Sequence, residues 1–341
     1  KRGLAAENRA LRGLLVEEVL PRLVKRQTAR AGRGRVVLSR VLRTTGVPES
    51  ALAERIGAVE EDIAPLTLAY LPSESGVDLR LTNLDKVLFP PAPGVEMAGP
   101  ITKRELIGYF ARIAPVLLPH LEERALNLNR FPDGVGGPSF WQKDLRSTDP
   151  RWLRRWREVG VEAREANEHL VADRVASLCW LGNQAAFEFH AWTSRLDAPD
   201  RPTFALIDID PGERTTWEET LVLARLFRAA LGHLGVRGHP KLTGNRGLHI
   251  WIPVVRRYEF HETSAWVEAV SRAVGATAPD LVSWEWAKEA RGGRARLDYT
   301  QNAFIKTLVA PYAVRPLPSA PVSAPISWDE LDDPSLTPGC W

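Results

Sequence analysis

The chain has 341 residues, of which 44% are hydrophobic and 26% charged, enough for one large or two modest globular domains. No run of residues approaches the roughly 18–20 consecutive apolar residues of a membrane-spanning helix, so a membrane protein is not expected. Only two cysteines occur, Cys179 and Cys340, which excludes a disulfide framework and a cysteine-based zinc site and is typical of a reducing cytoplasm.

The first part of the chain, residues 1–76, is predicted to be a helical, basic extension that ends in a linker. Apolar residues recur at helical spacing over residues 7–26, and residues 39–64 indicate two helices around a turn. Eight basic residues and no acidic residue lie from Arg22 to Arg43. Such a run is either a solvated face or a nucleic-acid contact, and we expect that it adds DNA affinity.

From residue 77 to residue 341, short β-like runs alternate with amphipathic helices, an order that favours an α/β or α+β domain. Two of the helices begin with a capping box, Thr102 with Glu105 and Thr216 with Glu219. The predicted elements are a strand at 78–84, a helix at 102–121, loops at 130–149, a strand at 204–210, a helix at 215–235, a turn and strand at 239–254, a helix near 261–275, a strand at 295–302 and an irregular, proline-rich final stretch.

The predicted strand FALIDID is an apolar run that ends in two carboxylates. Because successive strand side chains point to opposite faces, Asp208 and Asp210 share one face. Two acids in this position repel each other unless a positive charge lies between them, and a divalent metal ion is the obvious candidate. The same D-x-D before Pro-Gly is also common as a turn cap, so the pair alone does not define a metal site.

The segment KLTGNRGLHIW has the composition of a phosphate-binding turn that runs into a strand. Gly244 and Gly247 would let backbone N–H groups approach phosphate oxygens, and Thr243, Arg246 and His249 supply further donors. The alternatives are an ordinary glycine-rich turn and a histidine of the core.

A third feature, ARLDYTQN, places Asp298 in a strand pattern, with Gln301, Lys306 and Arg315 after it. Asp298 could instead be a strand-end acid paired with Arg296. Three carboxylates together with a phosphate-binding loop indicate phosphoryl or nucleotidyl transfer, for which Mg²⁺ or Mn²⁺ with oxygen ligands is the usual cofactor.

The stretches DIDPG, KLTGNRGLHIWIPV and LDYTQNAFIKTLVAPYAVRP closely resemble the polymerase domain of bacterial ATP-dependent ligase D, a member of the archaeo-eukaryotic primase superfamily. LTNLDKVLFP, RFPDGVGGPSFWQKD and FEFHAW resemble it too, so the resemblance runs from about residue 77 to the end. It implies an α+β, two-layer fold: a primase-polymerase core of mostly antiparallel central sheets flanked by helices.

The resemblance also implies a role for each matching residue. The implied metal-binding and catalytic aspartates are Asp208, Asp210 and Asp298, with Asp298 nearest the primer 3′-hydroxyl. The implied nucleotide contacts are Thr243, Arg246 and His249 for the triphosphate, with His190, Gln301, Lys306 and Arg315 as further site residues. The implied DNA contacts are Lys86 and Lys103 on a recessed 5′-phosphate, Phe140 and Trp141 stacked on the template, and Arg291 in a mobile loop.

Three positions depart from the family pattern. Thr243 stands where serine is usual, Arg246 stands where lysine is usual, and Asn129 stands where a lysine is common. The first two changes keep the hydroxyl and the charge, whereas the third removes a basic contact. We expect effects on substrate affinity and sugar preference rather than on the chemistry.

The resemblance implies a template-directed polymerase that extends primers at gaps or broken DNA ends with a 5′-phosphate, as in non-homologous end joining. It implies Mn²⁺ (or Mg²⁺), a preference for ribonucleoside triphosphates, and a bacterial, nucleoid-associated, cytoplasmic monomer. The chain lacks the ligase's lysine motif and a nuclease domain, so we expect separate partners such as Ku and a DNA ligase. The alternatives are a primer-independent primase and a catalytically silent DNA-end-binding module.

Overall fold

The computed structural model describes residues 77, 79–94, 99–159 and 166–339. The predicted helices, linker and basic run of residues 1–76 lie outside the described residues, and the predicted boundary after residue 76 stays a prediction. Backbone contacts divide the described part of the chain into two units. The first contains the residues up to 119 together with 174–183, and the second contains 120–173 together with 184–339.

The first unit has two short strands and two helices. The strands β1 and β2 pair antiparallel; the element bounds are β1 Val87–Phe89, β2 Ile101–Thr102, α1 Lys103–Leu121 and α2 Val175–Asn183. The capping box of α1 is confirmed: the Glu105 N–H donates to Thr102 Oγ1 at 3.4 Å, and the Thr102 N–H donates to Glu105 Oε2 at 2.8 Å. Local sequence therefore sets the start of this helix.

The strand predicted at residues 78–84 is wrong. In the described part of this stretch the Thr82 N–H donates to the side-chain oxygen of Asn183 at 3.0 Å, and Asn83 has a left-handed φ of 52°. Strand pairing begins only at Val87. A side-chain acceptor and a turn thus replace the partner strand that the alternating leucines suggested.

The second unit contains the remaining named strands and two long helices. The bounds are β3 Leu126–Arg130, β4 Phe140–Gln142, β5 Arg155–Arg157, β6 Glu168–Leu170, β7 Ala186–Trp192, β8 Ser194–Arg195, β9 Ala198–Pro202, β10 Phe204–Asp210, α3 Trp217–His233, β11 His239–Leu242, β12 Leu248–Pro253, α4 Phe260–Thr277, β13 Arg296–Asp298 and β14 Thr307–Val309. Single 3₁₀ turns occupy Lys288–Arg291 and Trp328–Asp332.

Two antiparallel sheets dominate this unit, as the α+β expectation requires. One has the strand order β11-β12-β10-β13, and the other has the order β14-β7-β3-β6-β5 with β4 added to β3. Every pairing between the named strands is antiparallel. Among the described residues no helix is both long and apolar enough to cross a bilayer.

Strand β10 is the central element of the first sheet and is confirmed as predicted. Ala205, Ile207 and Ile209 are fully buried in one core cluster with Phe227 of α3 and Val267 of α4. Burial of each large apolar side chain contributes about 1.5–3 kcal/mol. The opposite face of the strand carries the two aspartates, so the helices hold the strand from behind while its acidic face stays accessible.

Other predictions in this unit hold in part. Helix α3 begins after the predicted capping box, in which the Glu219 N–H donates to Thr216 Oγ1 at 3.2 Å. The turn and strand expected at 239–254 are present, but β11 precedes the turn and was not predicted. Strand β13 ends at Asp298, earlier than expected, because the Thr300 N–H turns back to the Asp298 carboxylate at 2.9 Å.

Candidate active site

One cleft of about 380 Å³ in the second unit brings together most of the predicted site residues. It lies where β10 and β12 meet the loop between β11 and β12, with β14 on the other side. The predicted residues that line it are His190, Asp208, Asp210, Thr243, Arg246, His249, Gln301 and Arg315.

Asp208 and Asp210 face this cleft together, as their spacing in β10 predicts. Burial raises the pKa of Asp208 to about 8, and the nearby charges of Asp210 and Asp298 act in the same direction. Among the described residues the ion pairs give Asp208 only the ring of His249, whose Nε2 lies 3.4 Å from Asp208 Oδ1. The repulsion expected from the sequence is therefore present at Asp208; the charge of Lys241 opposes it, and Arg291 pairs with Asp210.

Asp298 lies directly opposite Asp208 on the neighbouring strand β13. Its carboxylate accepts hydrogen bonds from the Thr300 hydroxyl at 2.6 Å and from Gln301 Nε2 at 3.3 Å. Arg296 Nη2 lies 3.6 Å away, which is the alternative partner considered for this acid. The residue is next to the cleft, but its side chain is engaged with its own loop.

Arg291 is held against strand β10 by an ion pair with Asp210. Its side chain is 9% exposed, and its Nη1 donates to Asp210 Oδ2 at 3.1 Å. A Cβ added to Gly212 would lie 2.3 Å from the carbonyl oxygens of Gly293 and Arg294. The Pro-Gly of DIDPG is thus needed because the turn after β10 presses on the segment that carries Arg291. A DNA contact by Arg291 stays a prediction.

The glycine-rich turn is shaped by close backbone approaches. Gly244 has a φ of 71°, and a Cβ there would lie 2.7 Å from Arg315 Cγ. A Cβ on Gly247 would lie 2.9 Å from the Ile209 carbonyl. The Thr243 hydroxyl donates to the Gly247 carbonyl at 2.9 Å and so closes the turn. Only glycine fits at the first of these positions without strain.

The side chains of this turn reach different partners. Arg246 Nη2 donates to the Gly212 carbonyl at 2.7 Å, which joins the glycine-rich turn to the turn after β10. His249 is 5% exposed, and its Nδ1 has no hydrogen-bond partner among the described residues. Burial, together with the positive charges of Lys241 and Arg315, lowers the pKa of His249 well below its usual value. A neutral ring with an unused nitrogen is suited to a polar ligand.

Glu188, which sequence reasoning missed, is a buried carboxylate behind the cleft. Arg315 Nη1 contacts its Oε1 at 2.9 Å, and Asn129 Nδ2 donates to its Oε2 at 2.8 Å. Burial would raise the pKa of Glu188, but the nearby His190 ring, the charge of Arg315 and the Asn129 amide outweigh it and lower that pKa. The sequence signal for this residue is the spacing Glu188-x-His190 in FEFHAW. Residues two apart in a strand share one face, as Asp208 and Asp210 do.

The remaining predicted contacts are placed as follows. Phe140 and Trp141 are 47% and 50% exposed on β4, and the Trp141 ring meets the His190 ring edge-on at 4.8 Å. Lys306 is exposed and precedes Thr307, which lines the cleft. Additional lining residues that the sequence did not single out are Asn245, Lys288 and Thr307.

The two predicted phosphate-binding lysines lie in the first unit. The Lys103 N–H donates to the Lys86 carbonyl at 2.8 Å, so the two residues are backbone neighbours. Lys86 is half-buried, whereas Lys103 is only 6% exposed. Their role on a DNA phosphate stays a prediction.

Two carboxylates of the cleft, Asp208 and Asp210, could bind a hard divalent cation. Asp208 and Asp210 offer carboxylate oxygens that Mg²⁺ and Mn²⁺ prefer, and a cation would offset the burial and the repulsion that raise the Asp208 pKa. In the described residues no three His, Cys, Asp or Glu side chains form a ready-made metal-binding group. This agrees with the hydrogen bonds that hold the Asp298 carboxylate in its own loop.

Two family models match the chain. The family model described as "LigD, primase-polymerase domain" matches residues 102–339, well over half of the chain. The description "Damage-inducible protein CinA KH domain" matches residues 39–86. In agreement with the second match, the chain is 37% identical over 140 residues to a CinA-like protein of Gemmatimonas aurantiaca, covering 38% of this chain and 31% of that protein. Residues 39–86 contain no G-x-x-G, the sequence with which KH modules clamp nucleotides.

Curated relatives and a solved structure agree with the first match. The multifunctional non-homologous end joining protein LigD of Mycolicibacterium smegmatis is 33% identical over 260 residues, 76% of this chain and 33% of that protein. The bifunctional LigD of Bacillus subtilis is 30% identical over 261 residues, 76% of this chain and 40% of that protein. This chain therefore spans between a third and two fifths of the length of these relatives.

Among solved structures, the polymerase domain from Mycobacterium tuberculosis ligase D in complex with DNA matches with a TM-score of 0.68 and 31% identity. The match covers 76% of this chain and 90% of that chain. The cleft, its aspartates and its glycine-rich turn lie within the segment that the first family model matches. The chain therefore belongs to the LigD primase-polymerase domain family.

Proposed function

We propose that the chain is a template-directed nucleotidyltransferase that extends a primer at gapped or broken DNA in non-homologous end joining. The observation that carries this proposal is one cleft that is lined by two kinds of group. The paired aspartates of β10 line it together with Thr243 and Arg246 of the glycine-rich turn and His249 of the adjacent strand β12. Nucleotidyl transfer needs both: a cation site at the reacting oxygens and donors for the triphosphate.

The proposed cofactor is Mn²⁺ or Mg²⁺, held by Asp208 and Asp210. When bound, such a cation activates the attacking 3′-hydroxyl and stabilises the leaving pyrophosphate oxygen. Around it the chain supplies positive and neutral donors: Arg315 and Arg246 balance phosphate charge, and the neutral His249 offers its unused Nδ1. Asp298, opposite Asp208, is proposed to lie nearest the primer hydroxyl.

The proposed DNA contact next to the cleft is the aromatic pair on β4. Phe140 and Trp141 are about half exposed, and aromatic faces stack on template bases without reading their sequence. The M. tuberculosis ligase D polymerase domain binds DNA, which supports this assignment. Ribonucleotide preference, a 5′-phosphate at the gap, and Ku and a separate ligase as partners belong to the same proposal.

The test is primer extension on a short gapped duplex with Mn²⁺. Ribonucleotides are compared with deoxyribonucleotides, and a 5′-phosphate with a 5′-hydroxyl at the gap. We expect extension that favours ribonucleotides and the 5′-phosphate and that is lost in Asp208→Asn/Asp210→Asn. Asp329→Asn is the matched control, because Asp329 is 89% exposed on a separate 3₁₀ turn.

Two other outcomes would replace the proposal. Synthesis on a bare template without a primer would identify a primase that uses the same site. DNA binding without any extension would identify an end-binding module.

A further inference from the structure

Glu188 occupies an unexpected position for a site that binds triphosphates. It is 6% exposed and lies behind two residues of the cleft wall, His190 and Arg315. An ionised carboxylate here repels the phosphates of a nucleotide, so its charge alone would weaken binding. Any benefit must therefore come from what the carboxylate holds in place.

The carboxylate contacts groups from two other parts of the second unit and lies beside one residue of its own strand. Asn129 faces it directly across the β3–β7 pairing and donates at 2.8 Å. Arg315 arrives from the C-terminal segment and contacts it at 2.9 Å. His190 lies two residues along the same strand, with its Nε2 3.6 Å from Glu188 Oε1.

The backbone brings Arg315 to this point from both sides. The Val314 N–H donates to the Phe187 carbonyl at 3.1 Å, and the Arg315 N–H donates to the Pro321 carbonyl at 2.7 Å. Arg315 Cγ also packs against Gly244 in the glycine-rich turn, where a Cβ would lie only 2.7 Å away. The Arg315 side chain thus runs between the phosphate-binding turn and Glu188, which is the only carboxylate in an ion pair with it among the described residues.

We propose that Glu188 is a positioning residue for nucleotide binding: it holds the Arg315 guanidinium at the cleft wall where the incoming nucleotide binds. This inference rests on the proposed function, since it assigns the work of Glu188 to the same nucleotide site.

The direction in which ATP affinity changes in Glu188 variants distinguishes a positioning role from a purely electrostatic one. Glu188→Ala removes both the negative charge and the contacts, whereas Glu188→Gln removes the charge but keeps an oxygen that Arg315 can reach. If Glu188 acted only through its charge, both variants would bind ATP more tightly. If it positions Arg315, we expect about tenfold weaker binding for the alanine variant and about threefold weaker binding for the glutamine variant.

The measurement is isothermal titration of each full-length variant with ATP and Mg²⁺, together with the KM for ATP in primer extension. A positioning role predicts that Kd and KM for ATP rise together while kcat and the Kd for gapped DNA change less than twofold. Melting temperatures are recorded in parallel, and the glutamine variant carries the test if the alanine variant does not fold.

Glu158 provides a matched control outside the cleft. Like Glu188, it accepts from an asparagine and lies beside a histidine: His169 Nε2 lies 2.7 Å and Asn167 Nδ2 lies 3.0 Å from Glu158 Oε1. Glu158→Ala should lower stability but leave the Kd for ATP unchanged. An equal loss of ATP affinity in both alanine variants would overturn the inference, because the effect would then be general destabilisation.

The outcomes for the two proposals are distinguishable. Wild-type affinity or tighter binding in Glu188→Ala overturns the positioning role alone. A wild-type protein that binds ATP but does not extend primers overturns the proposed function, while the titrations still decide the role of Glu188. A wild-type protein that binds no nucleotide overturns both.

Discussion

Strands β10 and β7 each carry two polar side chains spaced two residues apart on one face, yet their electrostatic environments are opposite. On β10, burial and the charges of Asp210 and Asp298 raise the pKa of Asp208 to about 8. On β7, Arg315 and the amide of Asn129 help to lower the pKa of Glu188 against the effect of burial. Among the described residues Glu188 has an arginine in direct contact, whereas the acidic neighbours of Asp208 are opposed only by the more distant charge of Lys241.

This difference separates the two kinds of buried carboxylate by function. A carboxylate whose charge is already balanced by a protein side chain needs no further cation. It can hold that side chain in place for a ligand, which is the role proposed for Glu188. A carboxylate left with like-charged neighbours is completed only by a positive charge from outside. We therefore propose that the cation binds at β10 and that the arginine beside β7 contacts the phosphates.

Substitution of Asp208 on strand β10 should have the largest effect on primer extension. Asp208→Asn is expected to lower primer extension on the order of 10³-fold, because it removes an oxygen ligand that the cation needs. The folded state should survive, since the substitution also removes a repulsive charge. Steady-state extension and a thermal melt check both points. A loss below tenfold would mean that the β10 carboxylate is not catalytic and would remove the contrast with Glu188.

Substitution of Gly212, in the turn after β10, should destabilise the packing around β10 without changing β7. Gly212→Ala is expected to lower the free energy of unfolding by about 2–3 kcal/mol, because the new Cβ would lie 2.3 Å from two carbonyl oxygens. Urea denaturation measures this. Gly232→Ala is the control: it lies within α3 with no atom of the described residues within 4 Å of the new Cβ, and should add about 0.5–1 kcal/mol of stability. Equal effects of the two substitutions would contradict the close approach at Gly212.

The two carboxylates should also give opposite pH dependences in the presence of EDTA. The pKa of Asp208 is raised on folding, so its ionisation opposes folding and stability falls as pH rises from its ordinary value of 3.8 toward about 8. The pKa of Glu188 is lowered from 4.5, so its contribution is present above pH 4.5 and is lost as pH falls through the folded value.

Denaturation curves between pH 4 and pH 8.5 test this contrast. Asp208→Asn should gain stability over the wild type most strongly near pH 8, whereas Glu188→Gln should lose least at the acid end. The same trend with pH in both variants would contradict the difference between the strands.

Elements whose signals are local could be predicted from the sequence. The capping boxes place the starts of α1 and α3, and the apolar run with its two acids identifies β10 and the shared face of Asp208 and Asp210. The strand predicted at residues 78–84 failed because a distant side chain, Asn183, takes the Thr82 N–H that a partner strand would have taken.

The partners of Glu188 could not be predicted, because they depend on how distant segments meet. Asn129 reaches Glu188 through the pairing of β3 with β7, and Arg315 reaches it through backbone hydrogen bonds of the C-terminal segment. Nothing in the local sequence around Glu188 encodes either approach. The Asp298 loop is similar, since the hydrogen bonds from Thr300 and Gln301 decide where that carboxylate points.

The most direct test of the account is Mn²⁺ binding to the DNA-free protein, measured by isothermal titration for the wild type, Asp208→Asn/Asp210→Asn and Glu188→Gln. The account predicts that the double variant on β10 loses at least about tenfold in Mn²⁺ affinity, whereas Glu188→Gln on β7 stays within about twofold of the wild type. Unchanged Mn²⁺ affinity in the β10 variant would show that Asp208 and Asp210 do not bind the cation. It would contradict the proposed metal site.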